Sequence, residues 1–252
     1  MSTSRLFITA SLLCVSLVGC STGWPQARLA HFLGPVPALD TPSQEISKAR
    51  IEKAGLVVIN DTSAKGDAPE LSKKSFDSLK NYVQGKLTKA VDIDLVSLNS
   101  SNMLPTALTR ESLLKLGQSQ GLNYVVLVIL SSTEIEVPDR LPVQGPQNAG
   151  GLLGELQGYR AQNYALAELA LLDVQSRDVL LRANGQSWAS LERLFVPLKS
   201  RLYPVVRRNL EVPPIYPTSE AVAHDVMRAV ASSEAIDQAV MHFQESWNQA
   251  KG

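Results

Sequence analysis

Few residues of this chain are placed to do chemistry. Glu134 and Glu136 stand two apart in an alternating stretch, so both carboxylates project from one face of a strand. Such a pair can carry acid–base work of the kind used in sugar hydrolysis. No base or nucleophile accompanies it in the sequence, so the wet face of a projecting strand is the simpler expectation. His31, His224 and His242 have no partner at metal-ligand spacing and read as surface or helix-face residues. No metal and no cofactor is expected. Ser131, Ser132 and Ser187 lack the G-x-S-x-G elbow of a nucleophilic serine. Gly145, Gly150, Gly151, Gly154 and Gly158 fit neither the P-loop nor the dinucleotide fingerprint and read as a connector.

A second group of residues suggests contact rather than catalysis. Arg193, Lys199, Arg201, Tyr203, Arg207, Arg208 and Tyr216 combine positive charge with aromatic rings. Arginine and tyrosine are favoured at interfaces. The stretch suits an acidic patch on a protein partner or a phosphate-rich lipid surface, and equally a solvated loop. Over all 252 residues, 24 Lys and Arg balance 24 Asp and Glu. Nothing in that balance favours a nucleic-acid partner. The apolar fraction of 44% is enough for a substantial core.

The N-terminus carries an address. Residues 1–5 hold one cation and residues 6–18 are mostly apolar, a run too short for a spanning helix of about 20 residues. This is the pattern of a secretory signal peptide. Its exit, Leu17-Val18-Gly19-Cys20, resembles the lipobox of bacterial lipoproteins. The resemblance implies cleavage between Gly19 and Cys20, and a diacylglyceryl thioether on the Cys20 sulfur with palmitate-type acyl chains. Acyl chains contribute about 0.8 kcal/mol per buried CH2, and several together anchor stably. Ser21, in place of the aspartate that marks inner-membrane retention, implies the outer membrane and a domain facing the periplasm. Cys14 leaves with the signal, so the mature domain has no thiol pair for a disulfide.

The remaining elements must form the domain. Residues 1–19 are read as signal, 20–54 as a lipidated tether and 55–252 as one α/β domain. Pro25, Pro35, Pro37 and Pro42 interrupt helix in the tether. Trp24, Leu29, Phe32 and Leu33 suit either docking on the domain or the lipid headgroup region. Leu56–Ile59 reads as a buried strand. Asp67 and Glu70, with Pro69, are spaced to cap a helix bearing Phe76, Leu79, Val83 and Leu87. Residues 91–95 alternate as an edge strand, and Thr109 caps a second helix. Residues 124–130 form a central strand that continues, alternating, until Pro138. A long loop is expected over 139–162, then a strand over 163–174, a turn at 175–178 and a return strand over 179–188. Thr218 or Ser219 caps a final helix with a possible break at Ser232 and Ser233. The fold class is therefore α/β (α+β): a mixed sheet with β-α-β-α-β order, then a hairpin and a C-terminal helix.

Three segments resemble a known group. They are residues 55–59, the helix end, glycine and strand over 116–126, and the strand-turn-strand over 171–180. They are similar to the curli-secretion channel lipoprotein, the lipoprotein activator of penicillin-binding proteins and the amino-terminal domain of the Tol-system β-propeller protein. The resemblance covers about residues 55–190 and the final helix, with Arg177 standing where the group usually has glycine. It implies an outer-membrane-anchored lipoprotein acting as a non-enzymatic adaptor or accessory subunit of an envelope assembly. The alternatives are an oligomeric secretion pore, for which 139–162 and 191–217 lack sustained barrel-like alternation, and an envelope hydrolase using Glu134 and Glu136.

Overall fold

The computed structural model describes residues 23–34, 53–91, 93–98, 108–144, 152–194, 203–209 and 211–251, with backbone alone at 140–144, 152–156, 194 and 251. Residues 1–19, expected to be a signal and ending in Gly19, lie outside these residues, as do Cys20, Lys199 and Arg201. A six-stranded mixed sheet forms the centre, in the order β2-β1-β3-β4-β5-β6. Strand β1 (Ala54–Asn60) pairs in parallel with both β2 (Leu95–Ser97) and β3 (Tyr124–Gln144). Parallel neighbours require crossovers, supplied by α2 (Lys73–Ala90) and α3 (Arg110–Ser119). The chain steps from β1 outward to β2, then back across β1 to β3. With both crossovers right-handed, that reversal puts the two helices on opposite faces. The cores agree. Leu79, Val83 and Leu87 of α2 pack with Leu56, Val58, Val126 and Val128, and Leu113 and Leu114 of α3 pack with Val57, Ile59, Val125 and Leu127. Strands covered on both faces disfavour polar side chains, which is why Leu56–Ile59 of β1 and Val125–Leu130 of β3 are unbroken apolar runs.

The second half is antiparallel. β3 pairs with β4 (Leu152–Asp173), β4 with β5 (Val179–Leu194), and β5 with the short β6 (Val205–Arg207). The 32-residue helix α4 (Glu220–Lys251) lies across β4 and β5. Small residues let it sit low: Ala167 and Ala189 on the strands and Ala231, Ala235 and Ala239 on the helix are buried. At Gly185 of β5, a Cβ would collide with the backbone of Ala235 and Ala239 and come within 2.8 Å of Gln238 Cβ.

Several expectations are corrected. The span 139–162 is not a loop: β3 continues through Pro138, opposite Tyr159, to Gln144, and β4 already begins at Leu152. Beyond Leu130, β3 has left β1 and is a ladder edge except for a single bridge between Thr133 and Asp67. Edge positions tolerate proline. The return strand likewise runs past 188 to Leu194. Helix α2 starts at Lys73, capped by the Ser72 hydroxyl accepting from Ser75 N–H, and not by Asp67, which has a buried partner described below. The edge strand begins at Leu95 and not at 91. The Val91 N–H still closes the last turn of α2 on Leu87 O, 3.0 Å away, and pairing starts only where Leu95 meets Ala54. α4 is continuous through Ser232 and Ser233, where the Ser233 hydroxyl bonds Val230 O at 2.8 Å.

The caps at Thr109 and Ser219 are as expected. Thr109 forms a reciprocal box with Ser112, and the Ser219 hydroxyl accepts from Val222 N–H. The turn at 175–178 also stands. Asp173 Oδ1 accepts from Gln175 and Ser176 N–H at 2.7 and 3.1 Å, and Arg177 takes φ +67°. That left-handed conformation is the one glycine adopts at no cost.

Candidate functional site

Two charged constellations occupy opposite faces of the sheet. On the α4 face, Glu134 of β3 meets the second turn of α4. His224 Nδ1 lies 2.5 Å from Glu134 Oε1, Arg228 Nη1 donates to Glu134 Oε2 at 2.9 Å, and His224 Nε2 lies 3.9 Å from Glu136 Oε1. The imidazole is thus flanked by two carboxylates. Burial works against the Glu134 anion, but the His224 hydrogen bond and the Arg228 charge outweigh it and hold its pKa below the ordinary carboxylate range. The hydrogen bond to Glu134 raises the pKa of His224, against desolvation. Glu134 is therefore a fixed anion and a poor proton donor. The ligand atoms of Glu134, Glu136 and His224 lie within 4.8 Å of one another, a set chemically able to hold a divalent cation, although the Arg228 guanidinium already supplies positive charge there.

One turn earlier, Tyr159 O–H donates to Glu220 Oε1 at 2.5 Å, and Arg193 pairs with the other Glu220 oxygen. Burial and this bond push the Tyr159 phenol up to about 12. Arg193 also sits 5.8 Å from the Tyr203 ring centroid.

On the α3 face, the N-terminal segment is built into the domain. Arg28, Leu29, Phe32 and Leu33 are buried, the last three in α1 (Leu29–Leu33). The Arg28 guanidinium bonds Asp67 at 2.7 Å and lies 3.8 Å from Asp61, all three side chains being at most 4% exposed. The backbone N–H groups of Arg28 and Leu29 donate to the Glu168 carboxylate, at 2.5 Å to Oε2 for Arg28 and 3.3 Å to each oxygen for Leu29. Burial raises the pKa of Glu168, and these bonds oppose that rise only in part. Further toward the N-terminus, Trp24 packs edge-on against Tyr164 with centroids 5.0 Å apart, and the Thr133 hydroxyl bonds Gly23 O. Of the two settings that suited Trp24, Leu29, Phe32 and Leu33, docking is the one observed. The section of the tether over 23–34 is part of the fold.

The residues singled out in the sequence separate. Glu134 is not a free wet-face carboxylate, and His224 is not a bare surface histidine, since they pair; Glu136 is exposed beside them. His31 and His242 are exposed, with His242 Nδ1 2.7 Å from Asn184 O. Ser187 is buried and donates to Glu234. Of the basic stretch, Arg193 is paired internally and Arg207 is half-buried in β6. Arg208 is exposed, with one long contact to Gln186 O at 3.4 Å. Sequence reasoning missed Arg28, Asp61, Glu168 and Arg228, and took Asp67 for a helix cap. One signal was available: Glu168 is the lone charge in the apolar run 165–172. A cleft of about 410 Å³ along α3 is lined by Arg110, Glu111, Lys115 and Arg177.

No family model matches the chain, and no curated protein matches it. Among solved structures, it is similar to a PelC dodecamer from Paraburkholderia phytofirmans, at 11% identity and TM-score 0.30 over 79% of this chain and 94% of that one. It is also similar to a putative neuraminyllactose-binding hemagglutinin homolog from Helicobacter pylori, at 6% identity and TM-score 0.42 over 82% and 94%. At these values neither likeness assigns a family. Among the described residues no helix is long and apolar enough to cross a membrane, a statement that leaves strands aside.

Proposed function

We propose that the chain is an outer-membrane lipoprotein, cleaved after Gly19 and lipidated on Cys20. Its α/β domain faces the periplasm and serves as a non-enzymatic adaptor or accessory subunit of an envelope assembly in secretion, transport or wall synthesis. The observation that carries this reading is the position of the lipobox-like cysteine three residues before a segment that docks in the domain. A lipid at Cys20 would hold a folded body beside the leaflet. The non-enzymatic part is supported by Glu134, which is occupied by His224 and Arg228. Arg208, with Tyr203 and Arg193 near it in sequence, supplies an exposed cation for a protein partner.

Crosslinking in cells, followed by mass spectrometry of co-purified proteins, tests this reading. The expected result is a reproducible set of envelope proteins that disappears with Cys20→Ser and weakens with Arg208→Glu. A Cys20→Ser protein that still fractionates with membranes would place the anchor elsewhere.

A second reading, an oligomeric secretion pore, is favoured by one observation. β3 and β4, of 21 and 22 residues, form a ribbon reaching well beyond the stretch of β3 that pairs with β1. Ring-shaped particles or conductance in bilayers would support it, and a strict monomer would count against it.

A further inference from the structure

We infer that the α3-side face of the β3–β4 ribbon, beyond the docked segment, lies flat against the leaflet that holds the Cys20 lipid. This rests on the lipid-anchor reading above.

The argument begins with chain length. A tether of 35 residues would let the domain wander far from the bilayer, but the structure removes most of it. Gly23 is fixed over the ribbon, where the Thr133 hydroxyl bonds its carbonyl and a Cβ at this position would lie 3.1 Å from the Tyr164 ring. Downstream, Arg28 and Glu168 clamp the segment among buried side chains. The free reach from Cys20 is therefore three peptide units, at most about 11 Å. A domain leashed that tightly cannot tumble freely above the surface. The face from which the leash emerges is the face that meets the lipid.

What that face carries suits the place. Side chains two apart on β3 share a face, so Ile135 and Val137 follow Thr133 at about 7 and 13 Å along the strand. They are 38% and 41% exposed, two of the six large apolar residues that are exposed among those described. Across β4, Tyr164 is opposite Thr133, and on β5 Trp188 is opposite Tyr164, so both rings share this face with Trp24. All three rings are half-buried. Tryptophan and tyrosine favour the headgroup level, where an apolar body and a polar tip are both satisfied. Arg160 stands opposite Val137 on the same face, paired with Asp139 and Glu192 at 3.2 and 3.0 Å and still about a third exposed. It is within reach of a lipid phosphate. The opposite face of the ribbon is taken by α4 through Glu134 and His224.

The test uses the full-length protein, processed in cells and reconstituted in vesicles of phosphatidylethanolamine and phosphatidylglycerol. Single cysteines replace Ile135, Val137 and, on the exposed outer side of α4, Met241, and each carries an environment-sensitive fluorophore. Emission at 135 and 137 is expected to shift to the blue on reconstitution, with none at 241. Lipid-borne quenchers should act on 135 and 137 alone. Inserting a twenty-residue Gly/Ser linker between Thr22 and Gly23 should abolish both effects while the protein stays bound to vesicles. The N-terminal mass is measured on the same samples. A lipid adduct with a water-like signal at 135 and 137 overturns the apposition and leaves the anchor standing. An unmodified N-terminus overturns both. A blue shift that depends on protein concentration in detergent, and is unchanged by vesicles, would make a second copy of the chain the cover and overturn the inference.

Discussion

Replacing Arg28 with alanine should unfasten the N-terminal segment without unfolding the sheet. Arg28 is the only cation paired with Asp61 and Asp67 among the described residues, and the three side chains are at most 4% exposed. Removing one member of a buried pair leaves charge uncompensated, at a cost of about 3–5 kcal/mol. The cheapest relief is to let water in by releasing 23–34, since this segment has an outer side, with Gln26, Ala27, Ala30 and His31 exposed, while β1 and the start of β3 are buried on both faces. At 1.4 kcal/mol per tenfold, ~3 kcal/mol is about a hundredfold in the docking equilibrium. Hydrogen exchange read by mass spectrometry reports it directly. The amides of Arg28 and Leu29 are held by Glu168, and that of His31 by the Arg28 carbonyl at 2.8 Å. Their exchange should accelerate about a hundredfold, while peptides of β1 and of 124–130 keep their protection. Arg28→Lys, which keeps the charge and loses the planar fork, should fall between. Unchanged exchange at 28, 29 and 31 would show that the ion pairs do not fasten the segment. Equal acceleration in β1 and β3 would show that the segment does not open on its own.

Three further outcomes follow from the geometry. Gly185→Ala should lower the urea midpoint by the equivalent of about 1–3 kcal/mol or more, because its Cβ meets α4 backbone that cannot rotate away; an unchanged midpoint would show that α4 sits higher on the sheet. The contribution of the Glu134–His224 pair should be bell-shaped in pH. The histidine part is complete below about pH 6.5 and is lost as pH rises through the raised value, while the glutamate part is complete above about pH 4.3 and is lost as pH falls through the lowered one. The difference in melting temperature between the parent and His224→Gln should therefore peak near pH 5–6 and shrink as pH rises through the raised histidine value, and a difference independent of pH would contradict it. Arg208→Glu should weaken partner capture with no change in melting, since the side chain is exposed; equal capture would remove this residue from the contact.

The sequence was most legible where one periodicity met one environment. Leu56–Ile59 and 124–130 are apolar on both faces because helices cover both, and α2 and α3 show their inward stripes plainly. Boundaries were misread where a local signal was overruled by a distant partner. Pro138 looks like a terminator, yet β4 alone pairs with that part of β3. Asp67 looks like a cap, yet Arg28 claims it from 39 residues away. His224 and Glu134 are 90 residues apart, and nothing in either neighbourhood announces the other. The docking of 23–34 was only half visible, because the apolar side chains that bury against the sheet would have served equally well in lipid.

The most direct measurement is the mass of the N-terminal peptide of the protein extracted from the envelope of the cells that make it. A peptide beginning at Cys20 and carrying a diacylglyceryl adduct with amide-linked acyl chain is the predicted result. A peptide with a bare cysteine, or one beginning elsewhere, would contradict the account.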